Sequence, residues 1–133
     1  MADTPKTLDK CTKANTPRWN FNGLKAVGKV VSVYDGDTVT VAFDTFGLGF
    51  FMHNMRLMGI DAPEMKSILL DEKTAALKSR DYLRTIALDR EVAFEVSETD
   101  KYGRLLVTMH VGPIDVSAAM LSSGNAKPYI PTA

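Results

Sequence analysis

A chain of 133 residues, 45% hydrophobic and 24% charged, has the size and mix of one globular domain with a single core. Sixteen basic and sixteen acidic side chains cancel, so global charge is no argument for a polyanionic partner, and the single cysteine, Cys11, excludes an internal disulfide framework. No apolar run approaches the roughly 18 residues of a membrane helix, and the opening MADTPKTLDKCTKANTPRWN lacks the apolar centre of a secretory leader, which makes the cytoplasm the expected compartment.

Residues 1–24 are rich in Thr, Lys, Asn and Pro without periodicity and read as an extended or flexible arm. The domain is expected over residues 25–130. The Val-dense run KAVGKVVSVY (25–34) and the alternating VTVAF (39–43) predict two strands joined by a tight turn at DGDT. After the glycine-bearing turn FDTFGLG, the segment FFMHNMRLMGI (50–60) predicts a long third strand, which completes a meander. Asp71 is the expected cap of a helix over DEKTAALKSRDYLRTIAL, with Ala76, Leu83, Ile86 and Ala87 near one face. Two more strands follow at EVAFEV and GRLLVTMHV. A short helix then runs from a cap at Asp115 to a stop at Gly124. This order is compatible with an α+β, mostly β architecture: a five-stranded OB-fold barrel with two helices.

Charge is uneven along the chain. Residues 1–29 carry six Lys/Arg against two Asp/Glu, residues 30–64 one arginine against five acids, and the remainder nine of each. Three strand ends concentrate it: YDGDT, RLMGIDAPE and TDKYGR. Singly, each is ordinary turn chemistry. Together they form a set suited to phosphodiester hydrolysis. Asp37 and Asp61 are hard oxygen donors for a divalent cation, Arg56 and Arg104 are planar forks for phosphate, and Glu64 is a carboxylate able to activate water. A regular strand over 56–61 would point Arg56 and Asp61 to opposite faces, so a bend at Gly59 to Pro63 is required if they are to cooperate.

DGDTV, RLMGIDAPE and DKYGR occur in the order and approximate spacing of the staphylococcal nuclease (thermonuclease-like) family, which the chain resembles over about residues 25–127. The resemblance implies an OB-fold, Ca²⁺-dependent nuclease cleaving DNA and/or RNA toward 3′-phosphate ends. It also implies roles by motif position. Asp37, Asp61 and the backbone carbonyl of Ala62 match the metal ligands, with Ca²⁺ the expected ion and Mg²⁺ or Mn²⁺ as alternatives. Asp35 and Thr38 stand behind them. Glu64 matches the general base, Arg56 and Arg104 the phosphate clamps, Tyr102 an aromatic hydroxyl beside the nucleotide, and Lys101 a basic rim position. The implied partner is nucleic acid, single-stranded by preference, acted on by a monomer without a membrane.

Departures accompany the match. Ala62 replaces a frequent threonine, MKSILLD before the first helix is short and apolar, and the chain ends soon after Lys127 where the best-known member has a terminal helix. The alternative reading is a non-catalytic barrel that holds single-stranded nucleic acid or a protein partner. His53 and His110 have no ligands at metal spacing and read as structural. The FGLGFFM run reads as core or turn packing.

Overall fold

The computed structural model describes residues 4–66 and 68–129, so residues 1–3 of the arm and the expected domain end at residue 130 lie outside the described residues. Five strands close into a barrel: β1 (Lys25–Val33), β2 (Thr38–Asp44), β3 (Phe50–Leu57), β5 (Glu91–Thr99) and β6 (Leu105–Val111). Three two-residue strands, β4 (Ile60–Asp61), β7 (Ile114–Asp115) and β8 (Lys127–Pro128), serve as clips, and two α-helices, α1 (Leu70–Ala87) and α2 (Val116–Ser122), complete the described elements with a short 3₁₀ turn at Leu8–Lys10.

β1, β2 and β3 form the antiparallel meander that the alternation predicts, β1 also pairs antiparallel with β5, and β5 with β6. Closure comes from a parallel pairing of β3 with β6, Met55 to Leu105 through Leu57 to Val107. Register shifts between Val30 and Ser32 in β1 and between Val96 and Glu98 in β5 bend the sheet enough to close. Inside lie Val30, Val39, Val41, Phe43, Met55, Leu57, Val92, Val96, Val107 and Met109, all buried. β5 follows its sequence pattern residue by residue, with Val92, Phe94 and Val96 buried and Glu91, Ala93 and Glu95 exposed.

Two expectations need correction and a third is narrowed. The third strand ends at Leu57, because Gly59 at φ +81 turns the chain out of the ladder before the separate strand β4. Asp71 does not cap α1: the helix starts at Leu70 with Leu69 in the cap position, which leaves Asp71 and Glu72 in the first turn, where their charge favours the helix dipole. The FGLGFFM run, expected as core or turn packing, belongs to the turn and the start of β3 and not to the core, since Phe46, Leu48, Phe50, Phe51 and Met52 are all exposed at the β2–β3 hairpin. Asp115 does cap α2, accepting the Ala118 N–H at 3.1 Å, and Gly124 at φ +76 follows its end. Of the N-terminal residues, Phe21 and Leu24 pack against the core, and Val96 exchanges backbone hydrogen bonds with Gly23 and Leu24. No described helix is long and apolar enough to cross a membrane.

Candidate active site

The turn DGDT joins β1 to β2 and presses against α1. A Cβ at Gly36 would collide with the Ser79 hydroxyl and come within 2.8 Å of the Ala62 Cβ, so this position admits only glycine without rearrangement. Ser79 is itself buried on the helix stripe and donates to the Asn125 carbonyl at 2.7 Å. The tight packing leaves Asp37 buried, with Oδ1 accepting the Thr38 hydroxyl at 2.9 Å and Oδ2 accepting the Ala62 N–H at 3.0 Å. Asp35 caps the turn by accepting the Asp37 N–H at 3.0 Å. Burial first, and then the charge of Asp37, push the Asp35 carboxyl up to about 6.

The bend after β3 is held at each residue. Met58 donates its N–H to Val107 and accepts the Ser117 hydroxyl, Gly59 accepts the Tyr129 N–H, and Ile60 and Asp61 pair with Pro128 and Lys127. Asp61 thereby returns to the side of Arg56, with 3.7 Å between Nη2 and Oδ1. The same Nη2 lies 3.4 Å from Asp37 Oδ2, while Nη1 donates to the carbonyls of Leu57 and Ile60 at 2.9 and 3.0 Å. Arg56 also lies 5.4 Å from the ring centre of Tyr129.

Arg104 approaches from the β5–β6 hairpin. Its Nε donates to Asp100 at 2.7 Å and its Nη1 to the Thr38 hydroxyl at 3.3 Å. A continuous chain of contacts therefore runs Arg104, Thr38, Asp37, Arg56, from two strand ends far apart in sequence. Tyr102 is exposed, with the Lys101 ammonium and the Arg104 guanidinium 5.2 and 5.4 Å from its ring centre.

One open groove of about 520 Å³ is lined by Asp35, Asp37, Arg56, Asp61, Ala62, Glu64, Tyr102 and Arg104. Thr38 lies behind it as the hydroxyl bridge, and Lys101 stands outside the lining on the exposed hairpin. Glu64 is exposed at the rim and takes no hydrogen bond or ion pair among the described residues. Sequence reasoning missed four lining residues: Tyr34, Asn54, Met65 and Lys66. Asn54 was open to inference, because it precedes Arg56 by two on β3 and so shares its face. His53 hydrogen-bonds Thr45 at 3.0 Å and stacks on Phe43 at 4.2 Å, which is a packing role.

A fit to a divalent cation is a question about donors. Among the described residues no three His, Cys, Asp or Glu side chains form a cluster for a metal, so the oxygen donors at hand are the two carboxylates that share Arg56, with the Ala62 backbone held beside them by its N–H bond to Asp37. The carboxylates are hard oxygen donors, and Asp35, raised first by burial and then by the charge of Asp37, adds a further carboxyl to the groove's lining. In donor type these residues fit a hard divalent ion.

Residues 54–132 match the family described as staphylococcal nuclease homologue, and the chain belongs to that family. It is similar to Protein ParB of Escherichia coli, 32% identical over 111 residues, which are 77% of this chain and 56% of that protein. It is similar as well to the probable endonuclease LCL3 of Yarrowia lipolytica, 29% identical over 136 residues (86% and 60%), and to endonuclease Htp3 of Saprolegnia parasitica, 29% over 116 residues (77% and 55%). The chain thus spans between 55% and 60% of the length of these relatives.

Proposed function

We propose that this chain is a metal-dependent nuclease that hydrolyses phosphodiester bonds of DNA and/or RNA and leaves 3′-phosphate ends. The observation that carries the reading is the pair of guanidinium groups, Arg56 and Arg104, facing one groove with Asp37 between them. Two forks converging on a space that also holds carboxylates match a tetrahedral anion bound beside a cation. Family membership and the two relatives named as endonucleases support the same reaction class.

In this reading Asp37, Asp61 and the Ala62 carbonyl would hold the ion, Ca²⁺ in the first instance and Mg²⁺ or Mn²⁺ as alternatives. When bound, the ion supplies fixed positive charge for the phosphoryl oxygens. Arg56 and Arg104 grip the non-bridging oxygens and stabilise the charge that grows on them as phosphorus becomes five-coordinate. Glu64, free at the rim, accepts a proton from the attacking water. The new O–P bond forms as the P–O5′ bond breaks, and the departing 5′-oxygen takes a proton from solvent. Tyr102 stands where a base or sugar lies beside the phosphate, and Lys101 adds positive charge outside. Single strands suit the groove better than duplex, because they bend to bring a phosphate to its floor. Every residue invoked belongs to one chain, so a monomer suffices.

The test is cleavage of end-labelled single-stranded DNA and RNA by purified protein, with chelator added and then Ca²⁺, Mg²⁺ or Mn²⁺ restored. Chelator-reversible cleavage yielding 3′-phosphate ends is expected. Binding without cleavage under every metal would leave the non-catalytic module as the correct reading.

A further inference from the structure

The catalytic reading leaves unused a group of aromatic residues that precede the stretch matched by the family. Trp19 and Phe21 return from the N-terminal segment onto the β2–β3 hairpin. Phe21 and Phe46 lie parallel, 8° between their planes and 5.9 Å between centres, and Trp19 stands nearly perpendicular to both, at 5.6 and 5.0 Å. Phe21 also packs edge-on against Phe43 at 6.2 Å, which roots the group in the core. Phe46 keeps its position at φ +57, a conformation bulky residues rarely adopt. Despite these contacts Trp19 is 69% exposed. A large ring held by neighbours yet left in water is a preorganised flat apolar surface.

This surface borders a cavity of about 450 Å³ walled by Trp19, Phe21, Met52, His53 and Asn54 and bounded beyond by the β5–β6 hairpin at Gly103. No lysine or arginine lines it among the described residues, so it is not a second phosphate clamp. Asn54 belongs to the wall of this cavity and to the wall of the catalytic groove. Its Oδ1 accepts the Thr40 hydroxyl at 2.9 Å, which orients the amide and leaves its two N–H donors without a protein partner among the described residues. Met52, Asn54 and Arg56 alternate on one face of β3, about 6.8 Å per step. That face runs from a phosphate-binding fork to an amide donor and on to a thioether, and the Trp19 indole lines the same cavity as the last two.

We propose that the Trp19 cavity is a second nucleic-acid subsite, which takes an unpaired nucleobase neighbouring the cleaved phosphodiester, with the base stacked on the Trp19 indole and the Asn54 amide donating to its edge. This rests on the nuclease reading above. An aromatic plane beside an amide donor matches a base, and continuity through Asn54 ties it to the strand whose phosphate sits at Arg56 and Arg104. Stacking of this kind tolerates any base. It also requires that the base be free of a duplex, so the subsite selects single strands.

Trp19 is the sole tryptophan, so its emission reports on the subsite alone. Titrate the Glu64→Gln protein, with Ca²⁺ present, with a fluorescently end-labelled twelve-residue oligothymidylate and separately with thymidine 5′-monophosphate. The oligonucleotide should change Trp19 emission saturably and the mononucleotide should not. Trp19→Ala should weaken oligonucleotide binding about tenfold, read by anisotropy, without altering mononucleotide binding. Unchanged emission and equal affinity of Trp19→Ala for a bound oligonucleotide would overturn the subsite and leave the nuclease reading standing. An emission shift that follows protein concentration without nucleic acid would overturn it too, by showing a second copy over the ring. No oligonucleotide binding, together with no cleavage by the unaltered protein, would remove both readings.

Discussion

Arg104 owes its aim to Asp100. The Asp100 carboxylate accepts the N–H groups of Tyr102 and Arg104, each at 2.9 Å, and Arg104 Nε at 2.7 Å, which closes the hairpin and points the remaining guanidinium nitrogens at Thr38 and the groove. Burial pushes this carboxyl up, but the Arg104 N–H, the Arg104 side chain and the Tyr102 N–H together outweigh it and hold it below its usual range. A depressed folded value means that the ionised group contributes stability above its unfolded value of about 3.9, and that this contribution is lost as pH falls through the lower folded value. Asp100→Asn should therefore cost about 2 kcal/mol at neutral pH, with the gap to the unaltered protein closing in acid. Urea unfolding across a pH series measures this, and a constant gap would refute it. Arg104→Lys keeps the charge but cannot serve Asp100, Thr38 and a phosphate together, so kcat should fall by an amount equivalent to about 2.7–4 kcal/mol. A rate within twofold of the original would argue against the clamp. Glu64→Gln should reduce kcat by about 10²–10⁴ with nucleotide binding retained, because the exposed side chain supports nothing else. Turnover and equilibrium binding on the same preparation separate the two effects.

At the scale of elements, the first acidic turn and α1 make a single unit. Gly36 sits where any side chain would strike Ser79 and Ala62, and Ser79 ties α1 to the segment after α2 through Asn125. The buried serine on an otherwise apolar stripe of Ala76, Leu83 and Ala87 is thus a spacer and a tie at once. Gly36→Ala should destabilise by about 1–3 kcal/mol and shift Asp37 away from Arg56. Ser79→Ala removes the nearest obstructing atom, so the double variant should cost less than the two single costs combined, as thermal or denaturant unfolding would reveal. Strict additivity would mean that the two residues do not meet.

For the molecule as a whole, the parallel joint between β3 and β6 decides whether there is a site. It brings the end of β3, carrying Arg56, beside the start of β6, which Arg104 immediately precedes, with Leu57 and Val107 paired and fully buried within it. Leu57→Ala should cost about 2–5 kcal/mol through the cavity it leaves. Because the two arginines depend on the same joint, binding of nucleotide should stabilise this variant less than the original protein in thermal unfolding. Equal ligand-induced shifts would show the clamp to be independent of closure.

Much of this was legible in the residues alone. Alternation marked β2 and β5, the Asp115 cap and Gly124 stop bounded α2, and the three charged motifs carried both the family resemblance and eight of the twelve residues that line the groove. These signals are local: period-2 burial, turn chemistry and residue type are written within a few positions of one another. What covers a buried face, and which strand ends meet, is not local. The β3–β6 closure, the β4–β8 clip that returns Asp61 to Arg56, the contact of Gly36 with Ser79 and the cavity that Trp19 and Asn54 both line all join segments distant along the chain. No periodicity encodes such meetings, because a strand's pattern states which face is apolar and is silent about what packs on it; only the closed barrel decides that.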